Sequence, residues 1–168
     1  MGRCRVDYEI WLNGEYVRRS EAKIGMTDRG FRLGDVVFDT SRTFNGVVFR
    51  LRDHLDRLYR SLKYTRIDPG LSPEEMMEIS EEVVRRNEPM RAQGGDFYVR
   101  QFVTRGPQQA GNTGPGAATA GPPTVVVDVW PLDSGYFARA YTDGLHGVIA
   151  RTRSYAVESV DSKIKHYN

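Results

Sequence analysis

Two sets of polar side chains in the sequence could hold the charged groups of a small molecule. Arg57 follows Leu55 by two positions, about 200° around the predicted helix, and therefore lies off its apolar stripe. Most single arginines on a helix are solvated, but a planar guanidinium group also matches the geometry of a phosphate. Tyr98 and Arg100 are two positions apart on a predicted strand, so both side chains lie on one face and could together hold a carboxylate.

Two lysines near the end of the sequence, Lys163 and Lys165, could act as nucleophiles. A lysine amine can form an imine with an aldehyde and later return as a free base. Lysines in such a position are usually exposed surface residues. The residues alone therefore leave open whether either lysine is catalytic, and which one.

The arginine is placed by a predicted β-hairpin that runs directly into an amphipathic helix. A turn at residues 28–30 leads into the apolar run that starts at Val36, and Asn45-Gly46 is the dipeptide typical of a two-residue hairpin turn. Asp53 is the predicted N-cap of the following helix. The apolar side chains of that helix recur at helical spacing, at Leu55, Leu58, Tyr59 and Leu62.

The other elements follow from hydrophobic patterning and turn residues. Strands are predicted at 8–18, 36–51, 97–104, 124–130 and 147–152, and helices at 53–65 and 73–86. Ser72, Pro73 and Glu75 form a capping-box signature, and Pro131 is predicted to end the strand before it. Residues 106–123 contain nine Gly or Pro in eighteen positions, which predicts a mobile loop.

This order of elements predicts an α+β fold, in which an antiparallel sheet carries its helices on one face. We expect a small domain over residues 1–131, a connector over 132–141, and the start of a larger second domain over 142–168. The net charge of +2 is too balanced to indicate nucleic acid binding. One cysteine, no secretory signal and no apolar run of membrane-spanning length lead us to expect a cytoplasmic protein that binds no membrane.

A combination of motifs resembles the small domain of the fold-type IV enzymes that depend on pyridoxal 5'-phosphate (PLP). DRGF-x-x-GD-x-x-F is followed by the Asn-Gly hairpin and by His54-x-x-Arg57-Leu58-x-x-Ser61. The resemblance implies a D-amino acid aminotransferase-like fold, PLP as the cofactor and no metal. It also implies that Arg57 binds the cofactor phosphate. Lys165, three residues before Asn168, fits the spacing of the family's Schiff-base lysine better than Lys163 does.

The resemblance also implies where the substrate binds. Tyr98-x-Arg100 matches a strand motif of branched-chain aminotransferases in which both residues help to hold the substrate carboxylate, and Phe38 and Arg42 match further pocket positions. DRGF and the Val103–Gly106 segment look more like the D-amino acid and (R)-amine subgroups. Without the family, Phe38 and Tyr98 are equally well explained as ordinary aromatic residues of the sheet.

The resemblance implies a transaminase that moves an amino group between an amino acid donor and a 2-oxo acid acceptor. Branched-chain amino acids are the first expectation; the alternatives are a D-amino acid transaminase, an (R)-amine transaminase or an aminodeoxychorismate lyase. A homodimer with the site near the subunit interface is also implied, and a dimerisation module without activity is the non-enzymatic alternative.

The motifs cover only the first half of the family's usual length. The acidic partner of the pyridine nitrogen and the backbone cradle for the phosphate belong to the other half. We therefore expect the 168 residues to be the first part of a longer polypeptide and not to transaminate alone.

Overall fold

A six-stranded antiparallel sheet forms the centre of the protein. A computed structural model describes residues 7–92, 95–111, 119–132, 134–153, 155–156 and 158–167. The strands are β1 (Glu9–Leu12), β2 (Glu15–Arg18), β3 (Val36–Phe44), β4 (Val47–Val48), β5 (Asp96–Thr104) and β6 (Val125–Leu132). They lie in the order β2-β1-β6-β5-β3-β4, and each pairing is antiparallel. The predicted antiparallel sheet is confirmed.

Both Asn-Gly hairpin turns are confirmed. Asn13 and Gly14 have φ values of 49° and 104°, and Asn45 and Gly46 have φ values of 51° and 80°. Positive φ at both central residues matches the twist of the flanking strands, which explains the preference for Asn-Gly at these points. The return strand β4 is shorter than predicted and ends at Val48, although the Phe49 amide still donates to the Arg42 carbonyl; a helix begins two residues later, at Leu51.

Two long helices cover one face of the sheet. The helices are α1 (Arg29–Leu33), α2 (Leu51–Thr65), α3 (Pro73–Asn87) and α4 (Ser134–Asp143), with a 3-10 turn at Glu88–Met90. The predicted capping box is present: Ser72 accepts a hydrogen bond from the Glu75 amide, and the Glu75 carboxylate accepts one from the Ser72 amide. The short helix α1, capped by Asp28, stands where the sequence predicted only a turn.

The core lies between the sheet and helices α2 and α3. Alternate residues of the strands point into it, and most are apolar: Val37, Phe97, Val99, Val103, Val127 and Val129. They meet Leu55, Leu58 and Leu62 of α2 and Met76, Val83 and Val84 of α3. The opposite face of the sheet, here called the outer face, presents the other set of alternate residues.

Three local predictions were wrong. Helix α2 begins at Leu51 and its N-cap is Arg50, so Asp53 is not the cap. Leu51 is only 6% exposed and lies four residues before Leu55, so its burial extends the apolar stripe and starts the helix earlier. Strand β6 continues to Leu132, past Pro131, which pairs with Phe97.

The third difference concerns the segment after α4. Residues 144–153 form no strand, although 147–152 was predicted to be one, and the side chains of Val148 and Ile149 are 91% and 98% exposed. A strand needs a neighbouring backbone to pair with, and the described part of the chain places none beside this segment. The predicted connector at 132–141 is largely occupied by α4. The domain boundaries themselves stay predictions.

The Gly- and Pro-rich loop is described only at its two ends. Gln108 and Thr119 form an isolated antiparallel bridge, and the Ala120 amide donates to the Pro107 carbonyl at 2.8 Å. The base of the loop therefore has regular pairing that the composition did not predict. Its central residues, 112–118, lie outside the described residues, and so does Asn168 of the predicted lysine motif.

Candidate active site

A cleft of about 980 Å³ lies between helix α2 and the segment 161–167. Both residues that the sequence assigned to the cofactor, Arg57 and Lys165, line this cleft. The other lining residues are Arg60, Ser61, Tyr64, Tyr155, Asp161, Ser162, Lys163, Ile164 and His166. Cationic groups outnumber the single carboxylate, so the cleft favours an anionic ligand.

Lys165 is held at the free edge of strand β3. His166 forms an antiparallel bridge with Val37, and the Phe38 amide donates to the Lys165 carbonyl at 3.0 Å. The Lys165 amide donates to Ser61 Oγ of helix α2 at 3.4 Å. The side-chain amine Nζ lies 4.3 Å from the centre of the Phe38 ring, close enough for a cation–π contact. The backbone at this position is thus fixed to both the sheet and the helix.

The competing lysine is placed differently. Lys163 is exposed, and its backbone amide donates to Asp161 Oδ1 at 2.9 Å within a turn. No backbone bond joins Lys163 to β3 among the described residues. Lys165 is therefore the lysine that the fold attaches to the sheet.

Arg57 is held by a buried carboxylate. Its Nε and Nη2 atoms donate to the two oxygens of Asp39, at 2.6 and 2.7 Å. His54 Nδ1 lies 2.8 Å from Asp39 Oδ1. Hydrogen bonding to Asp39 raises the pKa of the Arg57 guanidinium above its ordinary value, against the effect of burial.

The pairing still leaves Arg57 able to bind an anion. Its side chain is 43% exposed, whereas the Asp39 side chain is fully buried. Among the described residues, Nη1 has no acceptor, so its two protons can be donated to a ligand. One bidentate contact thus orients the guanidinium while its third nitrogen stays available.

Asp39 is a site residue that the sequence analysis missed. It lies on the inward face of β3, where alternation predicts an apolar side chain. A carboxylate at an inward position must find a cation or donors, because burying an unpaired charge is costly. That mismatch with the apolar pattern was the available signal. His166 and Tyr155, whose Nε2 and hydroxyl atoms lie 3.1 Å apart beside the cleft, gave no comparable signal.

The four predicted substrate residues lie together on the outer face of the sheet. Strand register places Arg42 opposite Tyr98, and Phe38 opposite Phe102. Arg100 lies on the same face of β5, two residues after Tyr98, and pairs with Thr40. The Phe38 ring stacks on Phe102 at 5.8 Å and on Tyr167 at 4.2 Å. Phe38 also touches the Lys165 amine, so it links the outer face to the cleft.

The two arginines of the outer face already have acidic partners. Arg100 donates to both oxygens of Asp128, from Nε at 3.1 Å and from Nη2 at 2.9 Å. Arg42 makes a longer ion pair, 3.8 Å, with Asp96, and its guanidinium lies 4.1 Å from the centre of the Phe44 ring. The roles of both arginines toward a substrate stay predictions.

Two other kinds of site are absent from the described ranges. No group of three or more His, Cys, Asp or Glu side chains there could hold a metal ion. No helix in those ranges has the length and apolar character needed to cross a membrane. What the cleft offers is a guanidinium for an anion and a primary amine beside an aromatic ring.

The sequence is similar to those of known aminotransferases. A provisionally named branched-chain-amino-acid aminotransferase of Methanocaldococcus jannaschii is 34% identical over 160 residues, which is 95% of this chain and 51% of that protein. The D-alanine aminotransferase of Staphylococcus aureus strain N315 is 37% identical over 98 residues, which is 58% of this chain and 33% of that protein.

Solved structures show the same fold. The branched-chain amino acid aminotransferase of Escherichia coli superposes with a TM-score of 0.65 at 28% identity, over 76% of this chain and 42% of that one. A second branched-chain amino acid aminotransferase, from T.th., was determined with pyridoxamine 5'-phosphate and superposes with a TM-score of 0.63 at 32% identity. That match covers 77% of this chain and 42% of the other. The chain thus spans about half the length of the relatives that match along nearly its whole extent.

The family assignment rests on most of the sequence. The model of the family described as amino-transferase class IV matches residues 36–168, which contain the hairpin, helix α2, the outer-face strands and the lysine segment. This match covers most of the sequence, and the solved structures share the fold: the chain belongs to the class IV aminotransferases.

Proposed function

We propose that this chain supplies the first half of a PLP-dependent transaminase that transfers an amino group between an amino acid and a 2-oxo acid. The observation that carries the proposal is that Arg57 and Lys165, far apart in sequence, line one cleft. The family assignment and the pyridoxamine 5'-phosphate in the T.th. relative support the same cofactor.

The residues of the cleft fit PLP. A phosphate needs a cation with directed donors, and the Asp39-bound guanidinium of Arg57 provides one. An aldehyde needs a primary amine that is held in place, and Lys165 is tied to β3 and α2 through its backbone. When bound, PLP supplies an electron-withdrawing ring that stabilises negative charge at the substrate α-carbon.

Each residue of the chain then has a defined part. Arg57 binds the phosphate, and Asp39 and His54 fix its orientation. Lys165 would hold the cofactor through its side-chain amine and would move a proton to or from the substrate α-carbon as general base and acid. Phe38 lies against the Lys165 amine and places an apolar ring on that side of it. Residues that complete the site belong to the part of the family's length that this chain does not span.

Branched-chain amino acids are the substrates that we propose first. Beside Phe38, the outer face offers the apolar ring of Phe102 and the Tyr98-x-Arg100 motif, and the relatives that match along nearly the whole chain bear that activity in their names. D-Amino acids are the second candidate. The observation that favours them is the 37% identity to a D-alanine aminotransferase over 98 residues.

We further propose that the functional protein is a homodimer located in the cytoplasm. A site whose aromatic and cationic residues stand half-buried on the outer face of the sheet is completed most simply by a second subunit. The single cysteine agrees with a reducing compartment. Sedimentation of the purified polypeptide tests the dimer directly.

The test of the function is the absorption spectrum of the complete polypeptide after PLP is added. We expect a visible band that marks covalent attachment to a lysine, followed by amino transfer to a 2-oxo acid. Lys165→Ala should abolish the band, whereas Lys163→Ala, two positions away and exposed, is the matched control and should retain it. Absence of the band in the unaltered protein would refute the enzymatic function and favour a dimerisation module.

A further inference from the structure

A buried serine stands on the apolar side of helix α2. Ser61 is 1% exposed, and its neighbours on that side are Leu58 and Leu62. A hydroxyl at such a position needs hydrogen-bond partners, because burying an unpaired polar group is costly. A serine that bonds only to its own helix slightly destabilises that helix. A partner outside α2 is therefore expected for this hydroxyl.

The Ser61 hydroxyl contacts both residues that the resemblance assigned to the cofactor. Its Oγ atom donates to the Arg57 carbonyl, one helical turn earlier, at 3.1 Å. The same atom accepts from the Lys165 amide, 104 residues along the chain, at 3.4 Å. One side chain thus joins the backbone of the arginine to the backbone of the lysine.

The other contacts of these residues close a ring. The Phe38 amide donates to the Lys165 carbonyl at 3.0 Å, and the Arg57 guanidinium binds the next residue of β3, Asp39. The backbone of Lys165 is therefore held by the sheet through its carbonyl and by helix α2 through its amide. Within this ring, Ser61 is the residue that contacts Arg57 and Lys165 together.

We propose that Ser61 is a positioning residue that sets the distance between the Arg57 guanidinium and the Lys165 amine, so that one PLP molecule reaches both. A ligand held at two points gains from the second contact only when the spacing of the two groups matches its own length. PLP carries its phosphate and its aldehyde on one rigid ring, so a shift of the lysine segment weakens this match. The inference rests on the proposed function and adds to it the residue that fixes the geometry of the cofactor site.

The test compares the binding of PLP with that of pyridoxal, which lacks the phosphate, to the complete polypeptide. Each affinity is taken from the absorption band that forms at the lysine, and Lys165→Ala gives the background from other amines. The wild type should prefer PLP, because PLP is held at two points. Ser61→Ala should reduce this preference about fivefold, the usual effect of one hydrogen bond. The affinities for pyridoxal and for inorganic phosphate, each held at one point, should change by less than about twofold.

Ser80→Ala is the matched control. Ser80 is also buried, and its Oγ donates to the Met76 carbonyl four residues earlier at 2.7 Å and accepts from Gln101 Nε2 at 3.0 Å. It lies on α3, outside the cleft, so its loss should lower stability and leave the preference for PLP unchanged. An equal fall of the preference in Ser61→Ala and Ser80→Ala would indicate a general loosening of the fold and would overturn the inference.

Hydrogen exchange gives a second readout, which needs no cofactor. The Lys165 amide should exchange about fivefold faster in Ser61→Ala, because its acceptor is removed, and at the wild-type rate in Ser80→Ala. Ser61→Cys keeps nearly the same size but is a weak donor and acceptor, so its preference for PLP should lie between those of the wild type and Ser61→Ala. It replaces Ser61→Ala if circular dichroism shows that the alanine variant does not fold.

These outcomes are distinguishable from a failure of the proposed function. Absence of the band in the wild type would refute the proposed function, and the exchange rate of the Lys165 amide would still show whether Ser61 holds the lysine segment. A normal band with an unchanged preference for PLP in Ser61→Ala would refute the role of Ser61 alone, even if that amide exchanges faster.

Discussion

Substitution of Asp39 by asparagine tests whether the proposed phosphate-binding arginine is oriented by the core. The carboxylate of Asp39 makes three close contacts, with Arg57 Nε at 2.6 Å, Arg57 Nη2 at 2.7 Å and His54 Nδ1 at 2.8 Å. Asparagine keeps the volume, so no cavity is created. It removes the charge and turns one acceptor into a donor that faces other donors.

The expected loss of stability follows from how much of each partner is exposed. A charge-assisted hydrogen bond contributes about 1.5–3 kcal/mol when fully buried. The Arg57 and His54 side chains are 43% and 23% exposed, so the released groups regain water and the sum of three bonds is an overestimate. We expect Asp39→Asn to lower the free energy of unfolding by about 2 kcal/mol.

The assay is urea denaturation, with unfolding monitored by circular dichroism. It is applied to Asp39→Asn, Arg57→Met and the double variant. We expect a coupling energy of about 1–2 kcal/mol between the two positions, since they are in direct contact. Phosphate affinity, measured by calorimetry, should fall about tenfold in Asp39→Asn because the guanidinium is no longer oriented. A coupling energy below about 0.5 kcal/mol, with unchanged phosphate affinity, would refute the idea that Asp39 positions Arg57.

Three further predictions concern stability. Burial opposes ionisation of Asp35, but hydrogen bonds from its two arginine partners outweigh it and lower the pKa, so the stabilisation that Asp35 gives above its unfolded-state pKa of about 3.9 is lost as the pH falls. The difference in Tm between the wild type and Asp35→Asn should therefore shrink below about pH 4, and a constant difference would contradict this. Gly30→Ala places a Cβ atom 2.8 Å from Thr104 Cβ, so urea denaturation should show a loss of about 1–3 kcal/mol. Ser72→Ala removes the acceptor for the Glu75 amide and should lower the free energy of unfolding by about 1 kcal/mol. Urea denaturation should show this loss with an unchanged m value, the dependence of that free energy on the urea concentration.

Features encoded within a few neighbouring residues could be predicted from the sequence. The turn at Asn13-Gly14 and the capping box at Ser72 each depend on side chains and φ angles inside one short segment. The resemblance to the family supplied Arg57 and Lys165, and the structure places both in one cleft. The order of elements also predicted that the helices lie on one face of an antiparallel sheet, and helices α2 and α3 do so.

Features that depend on partners far along the chain could not be predicted. The pairing of Arg100 with Asp128 requires the register of β5 on β6, and the pairing of Arg57 with Asp39 requires helix α2 to pack on β3. The start of α2 was missed because burial of Leu51 outweighed the capping preference of Asp53. In each case a tertiary contact decided between local alternatives.

The hydrogen bond from the Phe38 amide to the Lys165 carbonyl ties the site to a contact between two distant parts of the chain. Because the two residues are distant in sequence, forming this contact costs the loop entropy of the intervening chain. Local opening of the segment around Lys165 would remove the amine from Arg57 while the buried core stays intact. The Phe38 amide exchanges its hydrogen only while this segment is open. Its exchange rate therefore reports the fraction of molecules in which the Lys165 amine has left the Arg57 guanidinium.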